Sequence, residues 1–162
     1  MTGTTGSVVH YPVTIHIDGH SRWVLWWTDD AGPDGVVCAG PQILSFSEVD
    51  GLRAYAIEHG LELLDEIATF DFDAAVRWDD EPPVKEILNC RNLVNDVALS
   101  IGLTFDDRSE EKDRLYDKVF WGNNLPSMTP PGERFEPTWS QNEVELLQGI
   151  IGDGTALIRR AL

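Results

Sequence analysis

The N-terminal part of the chain alternates hydrophobic and polar residues, as half-buried β-strands do. In residues 11–17, Val13, Ile15 and Ile17 alternate with polar neighbours. This period of two predicts a strand with one face in the core. The Asp-Gly-His sequence at 18–20 then predicts a turn, because aspartate and glycine favour tight reversals of the chain.

Two further strands are predicted after this turn. Residues 22–28, RWVLWWT, are apolar on both faces, which suits a central strand. Residues 36–46 resume the strand pattern, with a bend or bulge expected at Gly40–Pro41. The three segments predict an antiparallel meander, preceded by a frayed polar tail at residues 1–10.

From residue 47 onward the hydrophobic spacing changes to that of amphipathic helices. The clearest is residues 84–101, whose apolar residues form one face and which Gly102 ends. Other helices are predicted at residues 47–60, from Asp71 or Asp73 to 78, at residues 107–120 and from Ser140 onward, with a possible interruption at Gly152 and Gly154. Strands followed by helices predict an α+β fold, with four to five helices mainly on one face of a small antiparallel sheet.

Length and composition indicate one soluble domain spanning residues 1–162. Hydrophobic residues make up 42% of the chain and include six tryptophans and six phenylalanines, which argues against disorder. No apolar run approaches the ~20 residues needed to cross a bilayer, and the N-terminus lacks the pattern of a secretory signal. We therefore expect a cytoplasmic protein.

Acidic residues are concentrated in one segment of the chain. Eleven of the 28 lie between Glu48 and Glu81, together with only two basic residues, Arg53 and Arg77. This segment has a balance of −9 within a chain of net charge −16. Such a field repels nucleic acid and anionic membranes and attracts basic proteins. A basic protein partner is therefore the expected ligand.

No motif predicts a reaction, a metal site or a cofactor. Asp71-Phe72-Asp73 has the form of a DxD metal motif, but so short a motif matches easily by chance, and helix capping is the favoured explanation. A zinc site would draw on His10, His16, His20 and Cys38, whose spacing fits no standard structural site. Cys38 and Cys90 are too far apart in sequence for a metal knuckle, and we expect free thiols.

Aromatic residues offer candidate contacts for a partner. Trp26 and Trp27 are adjacent in one strand, so their side chains should point to opposite faces of the sheet. If helices cover only one face, one of the two rings is left near solvent. Residues 120–126, FWGNNLP, predict either a recognition loop or a loop whose aromatic residues fix it to the core.

These features favour a non-enzymatic acidic binding protein. Its general character, being small, acidic, rich in aromatics and without catalytic motifs, resembles that of bacterial immunity proteins, which neutralise a basic toxin such as a nuclease. The predicted partner-binding residues are Glu58, Glu62, Asp65, Glu66, Asp79, Asp80, Glu81, Trp26, Trp27 and Trp121.

Two alternatives remain open at this point. One is a small enzyme or ligand-binding domain in which Asp71, Asp73 or Asp79 acts as general acid or base in a pocket between sheet and helices. The other is a structural or adaptor subunit that buries its tryptophan-bearing face in an oligomer. Neither has a motif in its favour.

Overall fold

Two long strands form a hairpin at the start of the described chain. In the computed structural model, which describes residues 8–79 and 81–162, β1 (Val8–Ile17) pairs antiparallel with β2 (His20–Asp29) along its whole length. Asp18 and Gly19 connect them, both with positive φ (53° and 75°). Two such residues match the twist of a two-residue hairpin turn.

Shorter strands complete a mixed sheet. They are β3 (Gly35–Val36), β4 (Cys38–Ala39), β5 (Gln42–Ile43), β6 (Ser45–Phe46) and β7 (Ala68–Asp71). The sheet has the order β3-β2-β1-β7, with β6 also paired to β2, while β4 and β5 pair with each other. β7 runs parallel to β1, with Val13 opposite Ala68 and His16 opposite Asp71. The α+β class is confirmed, but this parallel strand makes the sheet mixed.

The predicted third strand, residues 36–46, is broken into pieces of two residues. The chain reverses at Gly40, whose φ of 65° suits glycine and which joins β4 to β5. Residues 8–10, which we expected in the tail, belong to β1, so this strand begins earlier than predicted. The His10 N–H donates to the Glu62 carbonyl (3.0 Å) and the Leu64 N–H donates to the His10 carbonyl (2.9 Å).

Among the described residues, five helices follow the hairpin in sequence. They are α1 (Val49–Glu58), α2 (Phe72–Val76), α3 (Val84–Ile101), α4 (Glu110–Gly122) and α5 (Gln141–Ala161). Asp71 caps α2, Ser109 caps α4, and Ser140 forms a complete capping box with Glu143 at α5. α5 is continuous through Gly152 and Gly154, since packing on α3 outweighs the low helix propensity of glycine.

The main core lies between the sheet and helices α2 to α5. Val13, Ile15 and Val24 of the hairpin join buried residues of α3 and α5 in one cluster. α1 instead contacts β2 and β6 and buries Leu52 and Ala56 outside that cluster. Both faces of the sheet therefore carry a helix, although most helices lie on one. No helix within the described ranges has the length and apolarity to cross a membrane.

Candidate functional site

Large apolar side chains are exposed on and after the C-terminal end of α4. Trp121 is 44% exposed, Met128 50% and Phe135 44%. With Thr129, Pro130, Glu133 and Arg134 these residues line an open groove of about 460 Å³. Exposed aromatic rings beside a groove are unusual on a monomer and typical of contact sites. We call this region, Trp121 and residues 128–135, the aromatic surface.

Two asparagines fix the loop that carries this surface. The Asn124 side chain donates to the Phe135 carbonyl (2.9 Å) and accepts from the Phe135 N–H (2.7 Å), as a neighbouring strand would. The Asn123 amide donates to the carbonyls of Val119 (2.8 Å) and Val84 (3.1 Å). Asn124 has a φ of 47°, which asparagine tolerates better than most residues. The loop is thus held in place before any partner binds.

Of residues 120–126, the first three belong to the end of α4 and the others to the loop that follows. Phe120 is half-buried against the core and meets Trp121 edge to face, with ring centroids 5.4 Å apart. Anchoring comes from Phe120 and the two asparagines, while the Trp121 ring stays exposed. Of the tryptophans in the described chain, Trp121 alone is exposed.

Carboxylates outnumber cations around the aromatic surface. A second groove adjoins the first through Arg134 and Phe135 and includes Glu81 and Glu136 in its lining. Arg134 lies 3.4 Å from Glu136, which offsets one of these charges. With Glu133, three glutamates thus line the two grooves against a single arginine. A partner that covers the rings meets a negative rim.

Trp26 and Trp27, predicted to contact a partner, are both half-buried. The Trp26 indole donates to the Asp96 carboxylate (3.0 Å) and lies beside Tyr11, with centroids 5.3 Å apart. Trp27 lies against Gly35, where its ring occupies the space a β-carbon would need. Burial raises the pKa of Asp96, and the bond from Trp26 opposes that shift. Trp26 thus packs between the sheet and α3, while Trp27 covers Gly35.

The predicted acidic residues divide between two regions. Asp79 and Glu81, both exposed, precede α3, and Glu81 reaches the aromatic surface. Asp80 lies outside the described residues. The other four lie at the C-terminal end of α1 and in the segment between α1 and β7, and all are exposed: Glu58, Glu62, Asp65 and Glu66. In sequence, β7 and α2 lie between the two groups.

The carboxylates of the alternative enzyme hypothesis have separate environments. Asp71 caps α2 by accepting the Ala74 N–H (2.9 Å). Asp73 accepts the N–H groups of Asp18 and Gly19 (2.8 and 2.9 Å) and so holds the hairpin turn. These bonds, above all the one from Gly19, lower the pKa of Asp73. Asp79 is exposed beyond the end of α2.

The hairpin turn also borders a polar groove of about 560 Å³. Arg159 forms a two-pronged ion pair with Asp18 there (2.7 and 2.9 Å), and His20 and Arg22 line the same groove. His16 meets the Ser21 hydroxyl through Nδ1 (3.1 Å), and its Nε2 lies 3.4 Å from Asp73. Neither His16 nor Asp73 lines the groove. The cluster joins the hairpin to α2 and α5.

The metal candidates are distributed over both sheets. His10 lies near one end of β1 and His16 near the other, while Cys38 belongs to β4. Within residues 8–79 and 81–162, no group of three or more His, Cys, Asp or Glu side chains is placed to hold a metal ion. Both cysteines are free thiols, and burial raises the pKa of Cys90 to about 12.

Comparisons with protein-family models, with curated proteins and with solved structures find no match to this chain. Its own contacts and charges are therefore the basis for assigning a function. Among the described residues, the aromatic surface combines exposed rings, a fixed backbone and surplus negative charge.

Proposed function

We propose that this chain is a non-enzymatic binding protein that captures a basic protein through the aromatic surface. The observation that carries the proposal is the exposure of Trp121, at the C-terminal end of α4, and of Phe135, on the loop held by Asn124. Large rings that leave water on binding dominate interface energies. A loop already in its bound conformation loses little entropy on association, which adds to affinity.

The charge of the molecule supports a basic partner. The net charge of −16 attracts cationic proteins over long distances, and the glutamates at the two grooves give the contact region the same sign. Nucleases hold phosphate with basic residues, so an acidic protein can occupy that surface and arrive quickly. The specific form of the proposal is a bacterial immunity protein that neutralises a cationic toxin, such as a nuclease, in the cytosol.

The test is to replace Trp121 with alanine and measure binding to the toxin-like product of a neighbouring gene. Trp121 is exposed, so its loss should leave the fold intact, which circular dichroism checks. A central ring in an interface is worth about 2 kcal/mol or more, so the dissociation rate should rise by roughly thirty-fold. The association rate should change little, because long-range charge sets it.

Leu99→Ala is the matched control. Leu99 is an exposed apolar residue of α3, so the variant also removes surface area without touching the aromatic surface. It should bind like the unmodified protein. Equal dissociation rates for Trp121→Ala and the unmodified protein would refute the proposed contact surface. If neighbouring basic gene products do not bind the unmodified protein, the immunity role itself fails.

A further inference from the structure

The strand β7 forms one edge of the sheet. It pairs with β1 on one side, and in the described ranges no strand pairs with its other side. Ala68 and Thr69 are exposed, and Ile67, just before the strand, is 51% exposed. An open edge presents unpaired N–H and C=O groups that can bind another extended chain.

The backbone directions along this edge follow from the bonds of His10. Its N–H and C=O bond to Glu62 and Leu64, so they point toward the β7 side of β1. The direction of the backbone N–H and C=O groups alternates from one residue to the next along a strand, and the pairing of β1 with β2 is continuous. The N–H and C=O groups of Thr14, four residues after His10, therefore also point toward the β7 side. In a parallel pair, the backbone groups of the β7 residue opposite Thr14 then point away from β1. That residue is Thr69, which leaves its N–H and C=O on the open edge.

The chain just before β7 is not paired with β1, and it is acidic. Pairing with β1 lapses between Leu64 and Ala68, beside Pro12, which has no N–H to donate. Asp65 and Glu66 are exposed in this interval. Residues 54–76 contain six carboxylates and no lysine or arginine. The edge is therefore unpaired, and the chain that leads to it is acidic.

We propose that β7 and the residues before it bind an extended basic peptide segment by adding it to the sheet as a further strand. Thr69 supplies the backbone hydrogen bonds, Ile67 the apolar contact, and Asp65 and Glu66 the charge selection. This site is separate from the aromatic surface and does not depend on it.

The probe is a ten-residue peptide that alternates lysine and valine and is blocked at both ends. Its binding is followed by amide shifts and hydrogen exchange in nuclear magnetic resonance spectra. We expect shifts confined to residues 62–71 and slower exchange of the Thr69 amide. A version N-methylated at alternate residues cannot donate to the edge, so it should bind at least about ten-fold more weakly. A glutamate–valine version should not bind.

Matched variants separate charge from strand pairing. Asp65→Asn with Glu66→Gln should weaken binding several-fold, while Asp117→Asn with Asp153→Asn, which removes the same charge from exposed sites on α4 and α5, should have little effect. Thr69→Pro removes the outward N–H and should abolish binding. If that variant fails to fold, the N-methylated peptide answers the same question.

Two results would overturn the proposal. One is equal binding of the N-methylated and unmodified peptides, which would mean charge attraction without strand addition. The other is a set of shifts at the aromatic surface rather than along β7. Trp121→Ala should bind the peptide normally. A peptide that does not bind along β7 would therefore leave the proposed function unaffected, and a result against the aromatic surface would leave the β7 proposal unaffected.

Discussion

At the scale of single residues, His10 carries an unsatisfied group. It is only 9% exposed, and its Nδ1 has no hydrogen-bond partner. Burial lowers its pKa from the ordinary 6.5, so the unfolded chain takes up the proton first as the pH falls. Stability should therefore decline below about pH 6.5. His10→Leu should reduce that decline and add about 1 kcal/mol at pH 7 by removing the buried unpaired nitrogen. Urea unfolding at several pH values tests this, with His20→Leu at the exposed turn as control; identical pH profiles for His10→Leu and the unmodified protein would contradict it.

At the scale of elements, Asp73 of α2 holds the turn between β1 and β2. Its carboxylate accepts two turn N–H groups, and Asp73→Ala should cost about 1–2 kcal/mol, since the turn amides would bond to water instead. Asp73→Asn keeps one acceptor oxygen and should cost less. The lowered pKa of Asp73 means that its contribution is present above the unfolded value and is lost as the pH falls below about 4. Urea unfolding of both variants at pH 7 and pH 3 measures these differences; an equal deficit at both pH values would show that the charge of Asp73 contributes nothing.

At the scale of the whole molecule, net charge should control the rate of association. Raising salt until the Debye length shrinks from ~30 Å to ~8 Å should slow capture of a basic partner markedly and change dissociation much less. Replacing Asp79, Asp80 and Glu81 with Asn, Asn and Gln should lower the association rate, because Glu81 borders the aromatic surface. Asp117→Asn with Asp153→Asn removes exposed charge elsewhere and should have a smaller effect. Stopped-flow mixing at several salt concentrations provides the measurement, and an association rate indifferent to salt would assign the acidity to solubility alone.

Local signals in the sequence determined most elements of the fold. The bounds of α3 match the prediction because they depend on local properties. These are the period of its apolar residues and the left-handed backbone of Gly102, which ends the helix. The same holds for the turn, predicted at 18–20 and observed at Asp18 and Gly19, and for the capping box at Ser140. Only tertiary contacts decided that β7 pairs in parallel with β1 and that α5 continues through Gly152 and Gly154. Strand partners and packed helix faces depend on residues distant in sequence, which a local pattern does not report.

The candidate sites divide in the same way. Sequence alone identified the acidic segment, the aromatic residues and the absence of a catalytic motif, since charge and residue type need no coordinates. Exposure was decided by tertiary structure: Trp26 bonds to Asp96 of α3, whereas Trp121 remains in solvent. Phe135 was not predicted, because its position depends on bonds to Asn124, eleven residues away. A side chain becomes a contact site only when the rest of the fold leaves it uncovered, and that depends on all its neighbours in space.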